Sequence, residues 1–268
     1  MTQEQNASQA RAKIDAMKRQ FDQRRAISES LSNIKHKIGV YSGKGGVGKT
    51  TVAVNLASTL AFNGARTGIL DVDIDCPNVV RAMKITESPH VDHDQRMIPS
   101  EQFGVRVMSM GFFQKNEDEA IIWRGPMSHN ALQKLLQSTN WGELDYLIVD
   151  LPPGTSDAPL TVMQTLDLDG FIVVTTPQEL AMIDAKRSIN MIRTLHVNVL
   201  GIVENFSGEI FGSGAGKELA EDLDINFLGS LSLKADYRDT SKPTVLLNEE
   251  VLSEYSKIVE NVDLVLKS

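Results

Sequence analysis

The sequence predicts an α/β fold with a mostly parallel, helix-flanked sheet, and three observations carry that expectation. Short apolar runs alternate with helical stretches along most of the chain, which calls for right-handed crossovers between parallel strands. Several of those runs are near-continuous in Val, Ile and Leu, as strands buried on both faces require. The first run leads directly into a glycine-rich segment and then a helix, and ligands on such sheets bind beyond the carboxyl ends of the strands.

The N-terminal zone comes first. Residues 1–36 are polar and charged, with Ala10, Ile14, Met17 and Phe21 spaced by four, three and four along one helical stripe. Ile27, Leu31 and Ile34 continue a similar stripe after a phase change near Arg24 and Arg25. An N-terminal helical extension is expected here, packed on the core or frayed in solvent. The alternative is an arm that contacts a partner or a second copy. From Lys37 the strand candidates are Ile38–Ser42, Thr67–Asp71, Val105–Ser109, Tyr146–Asp150, Phe171–Thr175, Val199–Val203 and Phe227–Ser230. Helices are expected between them at about 49–63, 127–139, 156–166, 178–195 and 215–223, with a last one at about 249–266. Ser88–Ser100 reads as a solvated loop. Its His90 and His93, beside Asp92 and Asp94, match no dedicated metal spacing.

Composition narrows the class. The 268 residues are 41% hydrophobic and 23% charged, enough for the core of one large domain with a short appendage. The formal net charge of −8 argues against nucleic acid as a partner, since phosphate-backbone binders collect basic stripes. The lone cysteine, Cys76, has no intramolecular disulfide partner, so a stapled secreted domain is not expected. It is expected as a small buried residue. The opening MTQEQNASQA has no apolar core of a signal peptide, and no apolar run reaches the roughly 18 residues that span a bilayer. The cytoplasm is the expected compartment, with no membrane partner.

Gly43-Lys44-Gly45-Gly46-Val47-Gly48-Lys49-Thr50 fits G-x-x-x-x-G-K-S/T at every fixed position, with a strand entering and a helix leaving. Glycines let backbone N–H groups curl around phosphates, and the helix N-terminus adds its positive end. Residues 37–268 are therefore expected to form a single P-loop NTPase domain that binds ATP through Gly43 to Thr51. Lys49 would reach the β- and γ-phosphates, and the Thr50 hydroxyl would ligate Mg²⁺. Asp150 closes the apolar run Tyr-Leu-Ile-Val-Asp, where a carboxylate holds the magnesium, usually through water. Gly154, in Pro152-Pro153-Gly154, is placed to offer its N–H to the γ-phosphate. Among Asp71, Asp73 and Asp75 at the end of the second strand, Asp71 is the candidate for the magnesium outer shell. Asp73 is the candidate for positioning the attacking water, and Asp75 has no assigned role. Lys44 is a second lysine that the ordinary motif does not require, and by spacing alone it reads as a solvated charge.

GKGGVGKT with Lys44 resembles the deviant P-loop of the MinD/ParA/nitrogenase-iron-protein group. Within it the chain is similar to the Mrp/ApbC family of ATP-dependent iron–sulfur cluster carriers. The matching stretches are Ile38–Thr51, Trp123–Met127, Trp141–Asp157, Thr175–Gln178 and Leu200–Ser207. The resemblance implies an ATP-hydrolysing homodimer with two facing nucleotides, in which Lys44 acts in trans on the other subunit's phosphates. It implies adenine recognition by Asn205, switch or interface roles for Asp157 and Asp184, and partners among iron–sulfur assembly proteins or apo-protein clients. The chain also departs from the pattern. Family members carry a C-x-x-C pair after the segment matching Val-Glu-Asn-Phe-Ser, and two subunits share a 4Fe–4S cluster there. This chain has Ser207 to Gly214 with no cysteine, and Leu231-Ser232 where the family has Ile-Pro. The usual cluster ligands are therefore absent. The alternative is a MinD/ParA-like positioning or regulatory ATPase with no cluster role. Against a membrane-lying version of it, the last helix carries Glu249, Glu250, Glu254, Glu260 and Asp263 against Lys257 and Lys267, and an acidic face is repelled by anionic lipid.

Overall fold

The computed structural model describes residues 17–18, 21–113, 125–155 and 157–267. The expected stripe positions Ala10 and Ile14, and Trp123 and Arg124 of the family-like segment, lie outside them. In chain order the elements are α1 (residues 21–31), β1 (Ile34–Tyr41), α2 (Lys49–Phe62), β2 (Thr67–Asp71), α3 (Val79–Ala82), β3 (His90–Val91), β4 (Met97–Ile98), β5 (Ser100–Gln102) and β6 (Val105–Ser109). Then follow α4 (Gly125–Ser138), β7 (Leu144–Asp150), α5 (Asp157–Thr165), β8 (Gly170–Thr175), α6 (Glu179–Thr194), β9 (Val199–Ser207), α7 (Ala215–Asp222), β10 (Phe227–Ser232) and α8 (Glu249–Lys267).

Eight strands form one sheet in the order β10-β9-β8-β1-β7-β2-β6-β5. Every pairing is parallel except the antiparallel edge pair β5–β6. The chain leaves β1 toward β2 on one side and later fills β8, β9 and β10 on the other, so β1 stands at the switch point where such sheets bind ligands. The expected α/β architecture is the observed one.

The two-residue period of the strands decides what faces what. Leu147, Val149 and Leu151 pack with α1, α4, α5, α6 and α7 on one face, whereas Ile148 packs with α2 and α8 on the other. The same alternation puts Asp150 on the α2 face in step with Ile148, and Asp71 there in step with Ile69. The register Asp71↔Asp150 sets the two carboxylates side by side. Asp150 thus meets the N-terminus of α2; strand parity sets the face both acids take, and the pairing of β2 with β7 sets them side by side.

Three expectations need correction. The boundary set at residue 36 falls inside β1, which begins at Ile34 and pairs it with Leu144. Ser88–Ser100 is not a plain loop: β3 and β4 form a small antiparallel hairpin, and Ser100 opens β5. Asp92 closes that hairpin by accepting the backbone N–H groups of Asp94 and Arg96, each at 2.9 Å. A turn built on an aspartate side chain carries no Gly or Pro signal. Cys76 is exposed rather than buried. It lies in the turn after β2, where backbone N–H groups fold over Asp73. Among the described residues no group of three or more His, Cys, Asp and Glu is arranged to hold a metal ion, and no helix is long and apolar enough to cross a membrane.

Candidate functional site: a phosphate loop at the switch point

The segment Gly43–Gly48 curls over the carboxyl end of β1, with Gly46 and Gly48 both at φ +83°, a left-handed conformation that glycine adopts without strain. Two glycines are also required by space. A Cβ on Gly43 would meet the Asp184 carbonyl oxygen of α6 at 2.3 Å, and one on Gly48 would meet Asn205 Nδ2 at 2.3 Å. Ser42 Oγ donates to the Lys44 carbonyl at 2.9 Å, bracing the entry to the loop.

α2 starts at Lys49, and its first residues converge with β7. Lys49 Nζ lies 2.5 Å from Asp150 Oδ1, and Thr50 Oγ1 donates to Asp150 Oδ2 at 2.7 Å. Lys49 is 6% exposed and Asp150 0%. Burial pushes the Asp150 carboxyl above the usual range, against the pull of Lys49 and Thr50. Beside it Asp71, also fully buried, accepts from Val79 N and Asp73 N at 3.1 Å and from Ser109 Oγ at 2.9 Å. Burial, and then the charge of Asp150, push the Asp71 carboxyl up to about 8, while its three donors work the other way.

Such a cluster has a chemical meaning. A buried ion pair recovers its desolvation only with good geometry and satisfied neighbours. Here an ammonium, a hydroxyl and two carboxylates meet at a helix N-terminus beneath a glycine loop. The hydroxyl and carboxylate oxygens suit a hard divalent cation. The ammonium and loop N–H groups suit phosphate oxygens. The donor set therefore fits magnesium and a nucleotide polyphosphate.

The other expected residues are placed as follows. Lys44 is half-buried in the loop and forms no ion pair among the described residues. Thr51 is exposed on the first turn of α2. Asp73 is 7% exposed and spends Oδ1 on the N–H groups of Asp75 at 3.2 Å and Cys76 at 3.1 Å. Gly154, at φ +85°, donates its N–H to the Ser42 carbonyl at 2.9 Å and accepts the Tyr41 hydroxyl. Asn205 is buried and donates Nδ2 to the Val47 carbonyl at 2.8 Å. Asn205 thus borders the phosphate loop and is bonded to it, whereas Gly154 is half-buried and bonded to Tyr41 and Ser42, just before the loop. Asp184 ion-pairs with Arg187 on α6 and turns its backbone toward Gly43.

Sequence reasoning missed several contributors. Ser109 and Tyr41 showed only as ordinary strand residues. Glu204 is wholly buried, and its carboxylate accepts Gly214 N at 3.0 Å and Gly216 N at 2.6 Å, seating the start of α7. A glutamate inside an apolar strand was the available signal. An open groove of about 950 Å³ lies elsewhere, at the opposite end of the sheet beside Arg24, Lys37 and Asn198. Strand polarity favours the phosphate loop as the ligand site instead.

A glycine loop at the switch point, with Lys49, Thr50 and Asp150 converging beneath it, defines a P-loop nucleoside-triphosphate-binding protein. Residues 33–263 match the family model described as ParA, NUBPL iron-transfer P-loop NTPase, and the chain belongs to that family. It is 41% identical over 251 residues to an iron–sulfur cluster carrier protein of Methanocaldococcus jannaschii, covering 88% of this chain and 87% of that one. Among solved structures, it resembles a nucleotide-binding protein of Archaeoglobus fulgidus in complex with ADP, with a TM-score of 0.69 and 32% identity over 91% of each chain. The septum site-determining protein MinD of Pyrococcus horikoshii, complexed with Mg-ADP, shares the fold at TM-score 0.69 and 20% identity, over 85% of this chain and 96% of that one.

Proposed function

We propose that this protein is an Mg²⁺-dependent ATPase and dimeric switch in iron–sulfur cluster assembly, and that it lacks cluster ligands of its own at the β9–α7 loop. The observation that carries the ATPase reading is the convergence of Lys49, Thr50 and Asp150 under the Gly43–Gly48 loop. Thr50 and Asp150 would hold magnesium, with Asp71 in its outer shell, and the cation would offset charge on the β- and γ-phosphates. Lys49 would exchange Asp150 for phosphate oxygens. Asp73 would position the attacking water once its turn loosens, Asn205 would read the adenine edge, and Gly154 would answer to the γ-phosphate. Lys44, with no acidic partner among the described residues, would reach the nucleotide of a second copy.

The cluster is the cargo of this family. Four thiolates are the usual ligand set, and two copies of this chain bring two Cys76 thiols. A cluster handled by this dimer would therefore draw thiols from an assembly protein or apo-protein client. The missing cysteine pair also favours a second reading, a MinD/ParA-like positioning or regulatory ATPase with no cluster role.

Steady-state hydrolysis of Mg-ATP tests the first layer: turnover is expected in the parent and lost in Lys49→Ala, and unchanged turnover in that variant rejects the site. Lys44→Ala is expected to keep nucleotide binding and weaken dimerisation. Sedimentation with a slowly hydrolysed ATP analogue reads this, and an undiminished dimer rejects the trans role.

A further inference from the structure

β9 does not end as an ordinary strand. Its register against β10 runs Ser230↔Glu204 and then Ser232↔Ser207, so three steps on β9 oppose two on β10. The extra residue falls at Asn205–Phe206, and Phe206 takes φ +58°. A bulky aromatic there is a true backbone outlier, and bulges near sites re-aim side chains. The result of this one is visible. Asn205 Nδ2 reaches the Val47 carbonyl at 2.8 Å, and the Phe206 ring lies where a Cβ on Gly48 would meet its Cζ at 3.2 Å. Asn205 is thus bonded to the phosphate loop, and the Phe206 ring borders it, filling the space a side chain at Gly48 would need.

Phe206 also faces outward. Its ring stands 6.4 Å from that of Phe211 at 40°, within the range of an attractive aromatic pair. Phe211 sits in a short closed turn: Gly208 and Gly212 exchange two backbone hydrogen bonds at 2.9 and 2.8 Å, and Glu204 clamps its far end at Gly214 and Gly216. Leu233 N donates to the Ser207 carbonyl at 3.1 Å on the near side. The turn is thus a stiff body, and its tip, Ile210 at 75% and Phe211 at 38% exposure, stands in solvent.

We propose that Phe206 is a positioning residue that couples the phosphate loop to the Ile210–Phe211 tip, so that nucleotide in the loop reorients the tip. The inference rests on nucleotide binding at Gly43–Thr50. Strain at Phe206 is retained because the ring fills the space between Gly48 and Phe211, which glycine or a small residue at the bulge does not do. By reciprocity the same contact makes loop affinity depend on the ring.

Phe211→Trp places a reporter at the tip, read as the difference in emission from the parent, while a fluorescent ATP analogue measures binding separately. Saturating Mg-ATP is expected to change the Trp emission, and the change is expected to persist with Phe206→Tyr and vanish with Phe206→Gly. Glycine suits the left-handed backbone, so that variant keeps the fold while losing the ring. Its ATP affinity is expected to fall by about 5-fold or more, the low end of ordinary coupling between sites. A full emission change in Phe206→Gly, or loss of it in Phe206→Tyr, overturns the proposal. A reporter that binds ATP and stays silent also overturns it while leaving the ATP site standing. A parent that binds no ATP sinks both.

Discussion

Lys49 and Asp150 answer each other inside a nearly dry pocket, and each depends on the other's charge. Removing one partner of a buried pair costs about 3–5 kcal/mol, because the remaining charge is left uncompensated. Lys49→Ala is therefore expected to lower the melting temperature of the nucleotide-free protein as well as abolish hydrolysis. Adding Asp150→Asn is expected to return much of the stability and none of the activity, which thermal denaturation and an ATPase assay separate. Asp71 supplies a pH signature. Its folded carboxyl is raised from 3.8 to about 8, so the folded state holds its proton more tightly than the unfolded chain. That contribution is fully present below the unfolded value and is lost as pH rises through about 8. Melting temperatures of the nucleotide-free protein are expected to fall from about pH 5 to about pH 9 more steeply than those of Asp71→Asn, in which the group no longer titrates. Equal slopes would remove Asp71 from the account. Lys49, Thr50 and Asp150 were legible in the sequence because a motif and a strand end mark them. Ser109 was not, because its role arises from β2 and β6 being brought together in the sheet, and Glu204 showed only as a glutamate in an apolar strand, since the amides it accepts are aimed by the fold of the turn that follows.

Among the elements, α1 resolves half of its ambiguity. Ile27 and Leu31 are buried in the core at 2% and 4% exposure, and Ser30 Oγ donates to the Leu136 carbonyl of α4 at 2.7 Å, whereas Met17 and Phe21 are exposed at 69% and 67%. Leu31→Ala is expected to cost about 2–5 kcal/mol, the range for emptying a buried leucine site. Chemical denaturation checks this, and a shift within error would make α1 a dispensable appendage. The stripe was readable at helical spacing, but which half of it docks was not, since apolar spacing marks a face and never names what covers it. The bulge at Asn205–Phe206 was hidden for a related reason. A bulge is a mismatch between two strands, and neither strand alone displays it.

At the scale of the whole molecule, the net charge of −8 keeps copies apart unless a specific contact overcomes it. A dimer dependent on ATP is therefore expected to be favoured by salt when nucleotide is present, as screening weakens the repulsion; sedimentation across ionic strength reads this. Anaerobic reconstitution is expected to leave the purified chain without bound iron or sulfide while ATP hydrolysis continues. Stoichiometric 4Fe–4S cluster on this chain alone, lost with Cys76→Ser, would refute that. By itself the sequence determined the α/β class, the phosphate loop from Gly43 to Thr50 with its lysine and hydroxyl, and the acid at the end of β7. These depend on local chemistry: glycine conformations, the strand period, and a helix N-terminus that follows directly in the chain. Only the tertiary structure decided that Asp71 and Asp150 stand side by side, that Glu204 seats α7, and that Phe206 joins the phosphate loop to an apolar tip. Asp71 and Asp150, like Phe206 and Gly48, lie far apart in the chain and meet only through the packing of the sheet, whereas Glu204 reaches Gly214 and Gly216 through the fold of the turn that follows β9.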